Sequence, residues 1–462
     1  MNNDVRKYDP TTDLGKFIED NNIKVIKLGA PDIDGLWRGK RIMAKYFVEA
    51  VAQSGTNICD VIFGWDVQDI PITKLTFTGF QTGYPDVNLR PDLSTLTVLP
   101  HEPGTASVIC DVLTIAGEPL ELSPRGVLRR VIERANSMGF EPVCSNEFEF
   151  YLIEGSPREL ARRDFRDLET LSHGTHTYSV YRDAGSEGII GELRDRLAQV
   201  GVFIEASNSE NGPGQFEVNI HYSNALEAAD SALILKNTTK ELAVELGMTA
   251  TFMAKFISAE AGSSGHVHQS LVDLSTGKPA FANPENPLEL STIGQQYLAG
   301  VVAGSREMAA LYLPTTNSYK RVEGPQWTGS SATWGLDNRT VAVRSIPSAG
   351  PAARIENRVP GADANPYLVL AANIASGLNG IEQGLLPDPP VEGNAYELKL
   401  PAEKRLPVDL SRSTELFSQS KVAREYFGDA FVNHYVETRE WEVQQSRIVV
   451  TDWEISRYLE HI

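Results

Sequence analysis

Two glutamates, Glu147 and Glu149, stand within the apolar and aromatic stretch of residues 144–152. The stretch has the composition of a short buried strand, in which alternate side chains share a face about 7 Å apart. Two ionised carboxylates this close repel by a few kcal/mol, about 2 at an effective dielectric of ~20. Either a divalent cation lies between them, or the strand is an edge strand with a solvated acidic face.

Further metal-ligand types occur downstream. His266 and His268 form a His-x-His pair that a strand would place on one face, and neutral imidazole is a common metal ligand. Glu205, Glu210 and Glu217 surround a Gly-Pro-Gly turn. Glu217 lies in an otherwise apolar strand, where a glutamate is rare unless paired or metal-bound, whereas Glu205 suits a solvated loop better.

Five arginines cluster in the last third of the chain: Arg321, Arg339, Arg344, Arg354 and Arg358. Strand spacing puts Arg354, Glu356 and Arg358 on one face, as an exposed ion-pair ladder or as a bidentate site for phosphate or carboxylate. Arg339 and Arg344 would face opposite sides of a plain strand. Carboxylate-bound metals with arginines, without a nucleophile–base pair, favour phosphoryl transfer. Residues 35–41 do not have P-loop spacing and predict a hairpin with a basic strand.

Composition restricts the class of protein. The chain has 462 residues and a net charge of −19, which argues against non-specific nucleic-acid binding. Three separated cysteines, no signal-peptide pattern and no long apolar run predict a reduced cytoplasmic protein without a membrane span.

The order of elements predicts an α+β protein with two domains. Residues 1–116 are expected to form a small α+β unit, and residues 117–462 a larger domain of antiparallel strands interleaved with helices. Expected strands include 58–63, 106–113, 144–152, 216–220 and 249–256; expected helices include 42–53, 124–138, 187–200, 224–246, 291–311 and 364–382.

Over nearly its whole length the chain resembles the glutamine synthetase family. The motifs are Asn-Glu-Phe-Glu-Phe (146–150), Gly-Gln-Phe-Glu (214–217), Gly-Ser-Ser-Gly-His-Val-His-Gln-Ser (262–270), Asn-Ser-Tyr-Lys-Arg (317–321), Asp-Asn-Arg-Thr-Val-Ala-Val-Arg (337–344), Arg-Ile-Glu-Asn-Arg (354–358) and Ala-Asn-Pro-Tyr (364–367). Each is modest alone, but their order and spacing together are specific.

The resemblance implies a β-grasp N-terminal domain and a catalytic domain with a curved antiparallel sheet. It implies stacked hexameric rings with active sites between subunits. It also implies a two-step reaction, in which ATP phosphorylates the side chain of L-glutamate and a nitrogen nucleophile displaces the phosphate. The expected cofactors are ATP and two or three Mg²⁺ (or Mn²⁺) ions.

Residue roles follow from the matching motifs. One ion would be held by Glu149, Glu210 and Glu217, and the second by Glu147, His266 and Glu356. Glutamate and γ-phosphate contacts would come from Gly262, His268, Arg321, Arg339 and Arg358, with Arg339 and Arg358 catalytic. Nucleotide-site positions are Glu205, Tyr222, Ser270, Arg344 and Arg354.

The chain departs from the family pattern around the nitrogen substrate. Glutamine synthetase proper has a glutamate where this chain has Trp327, and an Asp-Gly-Ser-Ser loop where this chain has Trp65 and Asp66. Ala261 replaces an asparagine that touches glutamate. An aromatic wall suits an organic amine through apolar and cation–π contacts. We therefore expect a glutamate–amine ligase, with Trp65 and Trp327 binding the amine and Asp66 in the place of the catalytic aspartate.

Other functions remain open at this stage. The nearest alternative is a glutamine synthetase that uses ammonia, and Trp327 could serve packing alone. A catalytically inactive family member would lack ADP formation with any amine, although the metal and arginine positions hold competent residues. A cupin-type oxygenase fits the histidines but not the arginine cluster. Tyr396 lies near the position at which some bacterial relatives are adenylylated, which does not by itself indicate regulation.

Overall fold

The structure is a computed structural model that describes residues 5–323 and 327–462. Its strands are β1 Val25–Pro31, β2 Trp37–Met43, β3 Thr56–Cys59, β4 Asp86–Pro91, β5 Thr97–Val98, β6 Thr105–Leu113, β7 Phe140–Glu154, β8 Ile204–Ser209, β9 Gln215–Ile220, β10 Ser223–Asn224, β11 Met248–Thr251, β12 Gly265–Asp273, β13 Trp334–Leu336, β14 Val343–Ile346 and β15 Arg354–Asn357.

The helices surround two sheets. They are α1 Leu14–Asp20, α2 Ala44–Tyr46, α3 Ala52–Ser54, α4 Pro124–Ser137, α5 Pro157–Arg162, α6 Val180–Asp183, α7 Glu187–Gln199, α8 Ala225–Glu245, α9 Thr292–Gly304, α10 Ala309–Tyr312, α11 Ser318–Val322, α12 Pro366–Glu382, α13 Leu410–Gln419, α14 Lys421–Phe427, α15 Asp429–Ile448 and α16 Asp452–Tyr458. A π-helical turn, Phe47–Val51, joins α2 to α3.

The first sheet lies in the N-terminal part, in the order β2-β1-β6-β4-β3, with β5 on β6. The basic segment forms the expected hairpin, since β1 and β2 pair antiparallel from Val25↔Met43 to Pro31↔Trp37. β1 and β6 run parallel at the centre of the sheet. The boundary at 116/117 stays a prediction, because buried residues of both sheets contribute to one continuous hydrophobic core.

The second sheet has the order β13-β14-β15-β12-β7-β9-β8, with β10 and β11 also paired to β7. Its strands pair antiparallel except for β13 and β14. Phe148 and Phe150 point from β7 to one face, where they pack against Phe252. Because side chains alternate, Glu147 and Glu149 project to the opposite face. That opposite face is called the polar face below.

Helices on the apolar side fix the sheet in place. α12 is buried on nearly all sides and packs against α9, α4 and α8, as expected for a helix that is apolar all round. The side chain of Asn365 caps its start by accepting from the Tyr367 N–H at 3.0 Å. α4 begins at Pro124 after Ser123, as the sequence predicts.

Three predicted strands have wrong boundaries. The stretch 144–152 is part of a longer strand, since β7 runs over 140–154 and pairs with β12, β9, β10 and β11 at different points. The strand predicted over 58–63 ends at Cys59, where a 3₁₀ turn begins and Asp60 accepts from Thr78 Oγ1 at 2.7 Å. The strand predicted over 249–256 ends at Thr251. Phe252 instead packs against Phe148 and Phe150, and these three residues are called the phenylalanine cluster.

Two predicted helices are also divided. The helix expected over 42–53 is α2, the π-helical turn and α3. The one expected over 291–311 is α9 and α10. No helix within the described residues combines the length and the apolar character that a membrane crossing requires.

Candidate functional site

The polar face of the second sheet gathers acids, imidazoles and arginines from five strands. Strand register places Glu147 opposite His266, Glu149 opposite Glu217, and His268 opposite Glu356. Arg344 on β14 lies opposite Glu356 on β15. These side chains converge because each sits at an alternate position of its own strand, so the site is a direct product of register.

Two groups of three ligand residues form on this face. Glu147, His266 and Glu356 have one ligand atom each within 4.8 Å of the others, and so do Glu149, Glu210 and Glu217. These are the two sets that the resemblance implies, and they lie on either side of β7. We call them the histidine triad and the carboxylate triad.

The carboxylate triad carries more negative charge than its surroundings offset. Glu149 accepts from the Ser264 N–H at 2.6 Å, Glu210 from Asn208 Nδ2 at 3.2 Å, and Glu217 from Asn219 Nδ2 at 3.2 Å. These donors are neutral. Burial and the neighbouring acids raise the pKa of Glu149 to about 7 and that of Glu217 to about 9.

The histidine triad is balanced differently. Burial opposes ionisation of Glu356, but Arg358 and the two histidines lower its pKa to about 2. Arg358 pairs with Glu356 Oε1, and Arg344 Nη1 donates to Glu356 Oε2 at 2.9 Å. Burial and Arg358 lower the pKa of His266, which favours its neutral imidazole. A neutral imidazole with two carboxylates is a suitable ligand set for a divalent ion.

His268 joins the triad to the next arginine. Its Nε2 lies 2.9 Å from Glu147 Oε1, and its Nδ1 accepts from Arg354 Nε at 3.1 Å. Burial opposes ionisation of Glu147, yet hydrogen bonds from His266 and His268 hold its pKa well below the usual range.

A cavity of about 440 Å³ opens beside the histidine triad. Four of the five predicted nucleotide-site residues line it: Glu205, Tyr222, Ser270 and Arg354. Glu147 and His268 form its wall toward the triads. Arg344, the fifth, instead bridges Asp337 and Glu356.

Gly262 and Arg321, both predicted to bind the substrate, are packed directly together. A Cβ on Gly262 would lie 2.4 Å from Arg321 Cγ, so only glycine fits. Arg321 is 1% exposed; its Nη1 donates to Ser264 Oγ at 3.1 Å and its Nη2 to the Val359 carbonyl. Arg321 therefore lies beneath the carboxylate triad, where its charge favours ionised Glu149.

Arg339 and Trp327 meet at a second cavity of about 590 Å³. Arg339 is exposed and precedes β14, so it is not on a strand with Arg344. Trp327 is 59% exposed, with a backbone φ of 58°, and its carbonyl accepts from Arg358 Nη2 at 2.8 Å. The indole thus stands at the arginine end of the site; residues 324–326 before it lie outside the described part of the chain.

Trp65 and Asp66 are not brought to either cavity within one chain. The Trp65 ring lies under the Arg38 guanidinium, with 5.6 Å from Cζ to the ring centroid. Asp66 Oδ2 accepts from Trp441 Nε1 at 3.1 Å. Their predicted roles therefore require a second subunit.

Tyr178 lies near the carboxylate triad and is a residue that the sequence reasoning missed. Its side chain is 69% exposed, and its pKa is raised by partial burial, Glu210 and Glu217 and lowered by Arg339. Its segment is attached to the β8–β9 turn, where the Tyr178 N–H donates to the Ser209 carbonyl at 3.2 Å. The sequence signal for it is an aromatic pair, Tyr178 and Tyr181, in a largely polar loop.

Comparison with known proteins accords with this geometry. Residues 121–458 match the family described as glutamine synthetase, catalytic domain. The chain belongs to the glutamine synthetase family. It is therefore an enzyme of a C–N bond-forming ligase family, and the predicted fold class and the predicted γ-glutamylamide ligase branch are confirmed.

Three relatives illustrate the similarity. A glutamate–isopropylamine ligase from Pseudomonas sp is 50% identical over 446 residues, covering 96% of this chain and 97% of the relative. The type-1 glutamine synthetase 2 of Dictyostelium discoideum is 42% identical over 96% of this chain and 86% of its own length. A solved structure of GmaS in complex with ADP superposes with a TM-score of 0.85 at 26% identity, covering 97% and 99% of the two chains.

Proposed function

We propose that this enzyme joins L-glutamate to a small organic amine, using ATP and forming a γ-glutamylamide, ADP and phosphate. The observation that carries the choice of amine is Trp327, which presents an exposed indole next to Arg358 and Arg339. The 50% identity with a glutamate–isopropylamine ligase supports the same choice.

The two triads fit divalent cations. Each offers hard oxygen donors within 4.8 Å, and the carboxylate triad lacks the cationic hydrogen-bond donors that would neutralise it among the described residues. We assign one Mg²⁺ or Mn²⁺ to Glu149, Glu210 and Glu217, and another to Glu147, His266 and Glu356. Bound there, the ions supply charge neutralisation for the phosphates and orient the carboxylate.

ATP is assigned to the 440 Å³ cavity. Tyr222 offers an aromatic face, Glu205 and Ser270 offer polar atoms, and Arg354 offers a guanidinium toward the phosphates. A Glu356 carboxylate held by Arg344 and Arg358 keeps the histidine triad rigid at the cavity's inner end. Arg344 is therefore proposed to orient Glu356 rather than to touch the nucleotide.

The chain's residues have separate tasks in the two steps. A side-chain oxygen of glutamate attacks the γ-phosphorus and ADP leaves, while Arg339 and Arg358 stabilise charge on the transferring phosphoryl group. Gly262 and His268 bind the glutamate, and Arg321 supports Gly262 from below. The amine nitrogen then attacks the acyl carbon of γ-glutamyl phosphate. The bond from that carbon to the phosphate oxygen breaks, and phosphate leaves with its electron pair.

The amine arrives as an ammonium ion and must lose a proton before it attacks. Trp327 gives its organic group an apolar wall, and the phenol of Tyr178 and the carboxylate of Asp66 give the charged nitrogen polar partners. Since Asp66 lines neither cavity in its own chain, we assign it to the site of a neighbouring subunit. A cytoplasmic homo-oligomer of stacked hexameric rings stays part of the proposal.

The test is ADP formation with glutamate and a panel of nitrogen substrates: isopropylamine, ethylamine, ethanolamine, aniline and ammonium, with mass-spectrometric detection of the product. We expect at least one organic amine to exceed ammonium in kcat/KM by tenfold or more. Ammonium exceeding every organic amine would refute the proposal and favour glutamine synthesis, which the 42% identity with a type-1 glutamine synthetase keeps as the alternative.

A variant pair tests the role of the indole. Trp327→Glu should lower kcat/KM for the preferred organic amine by about 10- to 100-fold, because 1.4–2.8 kcal/mol of apolar and cation–π contact is removed. Leu336→Glu places the same charge on the same cavity, at a residue that is 50% exposed. Equal losses in both variants would show that cavity charge, not the indole, is responsible.

A further inference from the structure

The segment that carries Trp65 and Asp66 is folded by its own backbone. Residues 64–71, called the 64–71 loop, close through the Ile72 N–H, which donates to the Gly64 carbonyl at 2.9 Å. Asp66 Oδ1 accepts from the Gln68 and Ile70 N–H groups at 2.9 and 3.0 Å. The loop is thus a preorganised turn in which the second carboxylate oxygen, Oδ2, takes no part.

One face of helix α15 packs against this loop and the residues that follow it. His434, Glu437 and Trp441 have the i, i+3, i+7 spacing of a single helix face. The His434 ring meets Phe77 edge-on at 5.9 Å, and Glu437 accepts from the Thr76 N–H at 2.9 Å and from Thr76 Oγ1 at 2.6 Å.

The third residue of that face reaches Asp66 itself. Trp441 Nε1 donates to Asp66 Oδ2 at 3.1 Å. Within the described part of the chain, no lysine or arginine forms an ion pair with this carboxylate. Neutral N–H donors therefore fix the orientation of the Asp66 carboxylate. Its negative charge stays available to an incoming cation.

The neighbouring indole is fixed by a different element, β2. Arg38 lies over the Trp65 ring, and it is itself held by Asp32 at 2.8 Å and by Asp69 at 2.7 Å. Trp65 and Asp66 are thus clamped between β2 and α15, two elements distant in sequence. Residues 64–71 already close through their own hydrogen bonds. The contacts from Arg38 and Trp441 are therefore not required to keep the loop folded, and they instead fix the positions of Trp65 and Asp66.

We propose that Trp441 is a positioning residue for the amine substrate: its indole N–H aims the Asp66 carboxylate that meets the ammonium group in the neighbouring subunit's site. The inference rests on the proposed function and extends it to a residue that touches no substrate. Losing the indole N–H leaves Oδ2 without its donor while Oδ1 keeps its two backbone donors, so the position of Oδ2 is less well fixed. This weakens capture of the amine but not of ATP or glutamate.

The experiment compares Trp441→Phe, Asp66→Asn and the double variant in the full-length enzyme. Trp441→Phe keeps an aromatic ring and loses one donor. We expect KM for the amine to rise roughly tenfold, as for a lost hydrogen bond to a charged group, with KM for ATP and glutamate within twofold of wild type. The double variant should resemble Asp66→Asn alone, since Trp441 acts only through Asp66.

Tyr426→Phe is the matched control. It removes a hydrogen bond of 2.9 Å from Tyr426 on α14 to the Glu382 carboxylate on α12, neither of which belongs to the 64–71 loop or to α15. It should leave all three KM values unchanged. Independent, multiplicative effects of Trp441→Phe and Asp66→Asn would overturn the proposal, as would equal increases in all three KM values or none.

The two proposals fail separately. If the wild-type enzyme uses ammonium and no organic amine, the proposed function is wrong, and the same variants are then measured with ammonium. A selective rise in KM for ammonium in Trp441→Phe would still support the positioning role. No change in KM for either nitrogen substrate would refute it.

Discussion

Replacing Glu217 by glutamine should stabilise the metal-free enzyme and destabilise the metal-loaded one. The change keeps the shape and the hydrogen bond from Asn219 Nδ2, but removes one of three negative charges. Without a cation, the remaining carboxylates lose a repulsive neighbour. With a cation, the site loses a ligand.

The size of the effect follows from the geometry. Ligand atoms of the triad lie within 4.8 Å of one another, so each ionised pair repels by about 3 kcal/mol at an effective dielectric of ~20. The raised pKa of Glu217, about 9, means that a bound proton relieves part of this repulsion at pH 8. We therefore expect a gain of about 1–2 kcal/mol in EDTA.

Metal binding reverses the order of stability. At 100 times its dissociation constant, a bound ion stabilises the native state by about 2.7 kcal/mol. Wild type should gain this in Mg²⁺ or Mn²⁺, whereas Glu217→Gln should gain much less. The two melting curves should therefore exchange order between EDTA and saturating metal.

Differential scanning fluorimetry in EDTA and in a metal titration measures this exchange. Glu141→Gln is the control, because Glu141 is an exposed acid on the same strand, β7. It should shift both curves equally. A Glu217→Gln enzyme that is less stable than wild type in EDTA, or that keeps the full metal-dependent shift, would refute the assignment of this triad.

Two further predictions concern charge and assembly. Burial and the nearby Lys240 lower the pKa of Lys236 from 10.5 to about 7. Between these two pH values the unfolded chain binds a proton that the native state does not, so the stability of the native state rises with pH there. Lys236→Met should therefore raise the free energy of unfolding by about 1 kcal/mol at pH 6.5 and by less at pH 9.5, as urea titrations would show; an equal gain at both pH values would contradict this. If Asp66 acts in a neighbouring subunit's site, mixing the weakened Asp66→Asn and Glu217→Gln subunits after reversible dissociation should raise ADP formation above that of either component. Mixtures no more active than their components would contradict it.

The sequence predicted which side chains share a strand face better than it predicted element boundaries. Glu147, Glu149 and Glu217 could be placed on one face because a strand alternates with a period of two, whatever its length. The ends of β7 could not, since residues 140–143 and 153–154 are strand only through pairing with β12, β10 and β11. Pairing partners are tertiary information.

Residues outside strands were the harder part. Tyr178 enters the site through a loop attached to the Ser209 carbonyl, and no periodicity marks such a contact. Phe252 reads as strand by composition, yet it turns into the phenylalanine cluster under the sheet. The resemblance places Arg344 at the nucleotide, whereas its contacts in the structure are with Asp337 and Glu356.

The anchoring of the 64–71 loop has a consequence for engineering substrate preference. Asp66 and Trp441 are 375 positions apart in sequence, and Thr76 and Glu437 are 361 apart. A loop transplanted alone between relatives would keep its own turn but lose the contacts that fix its orientation. Chimeras that exchange residues 64–78 together with the matching face of α15 would carry the whole unit, so amine selectivity should transfer with the pair rather than with the loop.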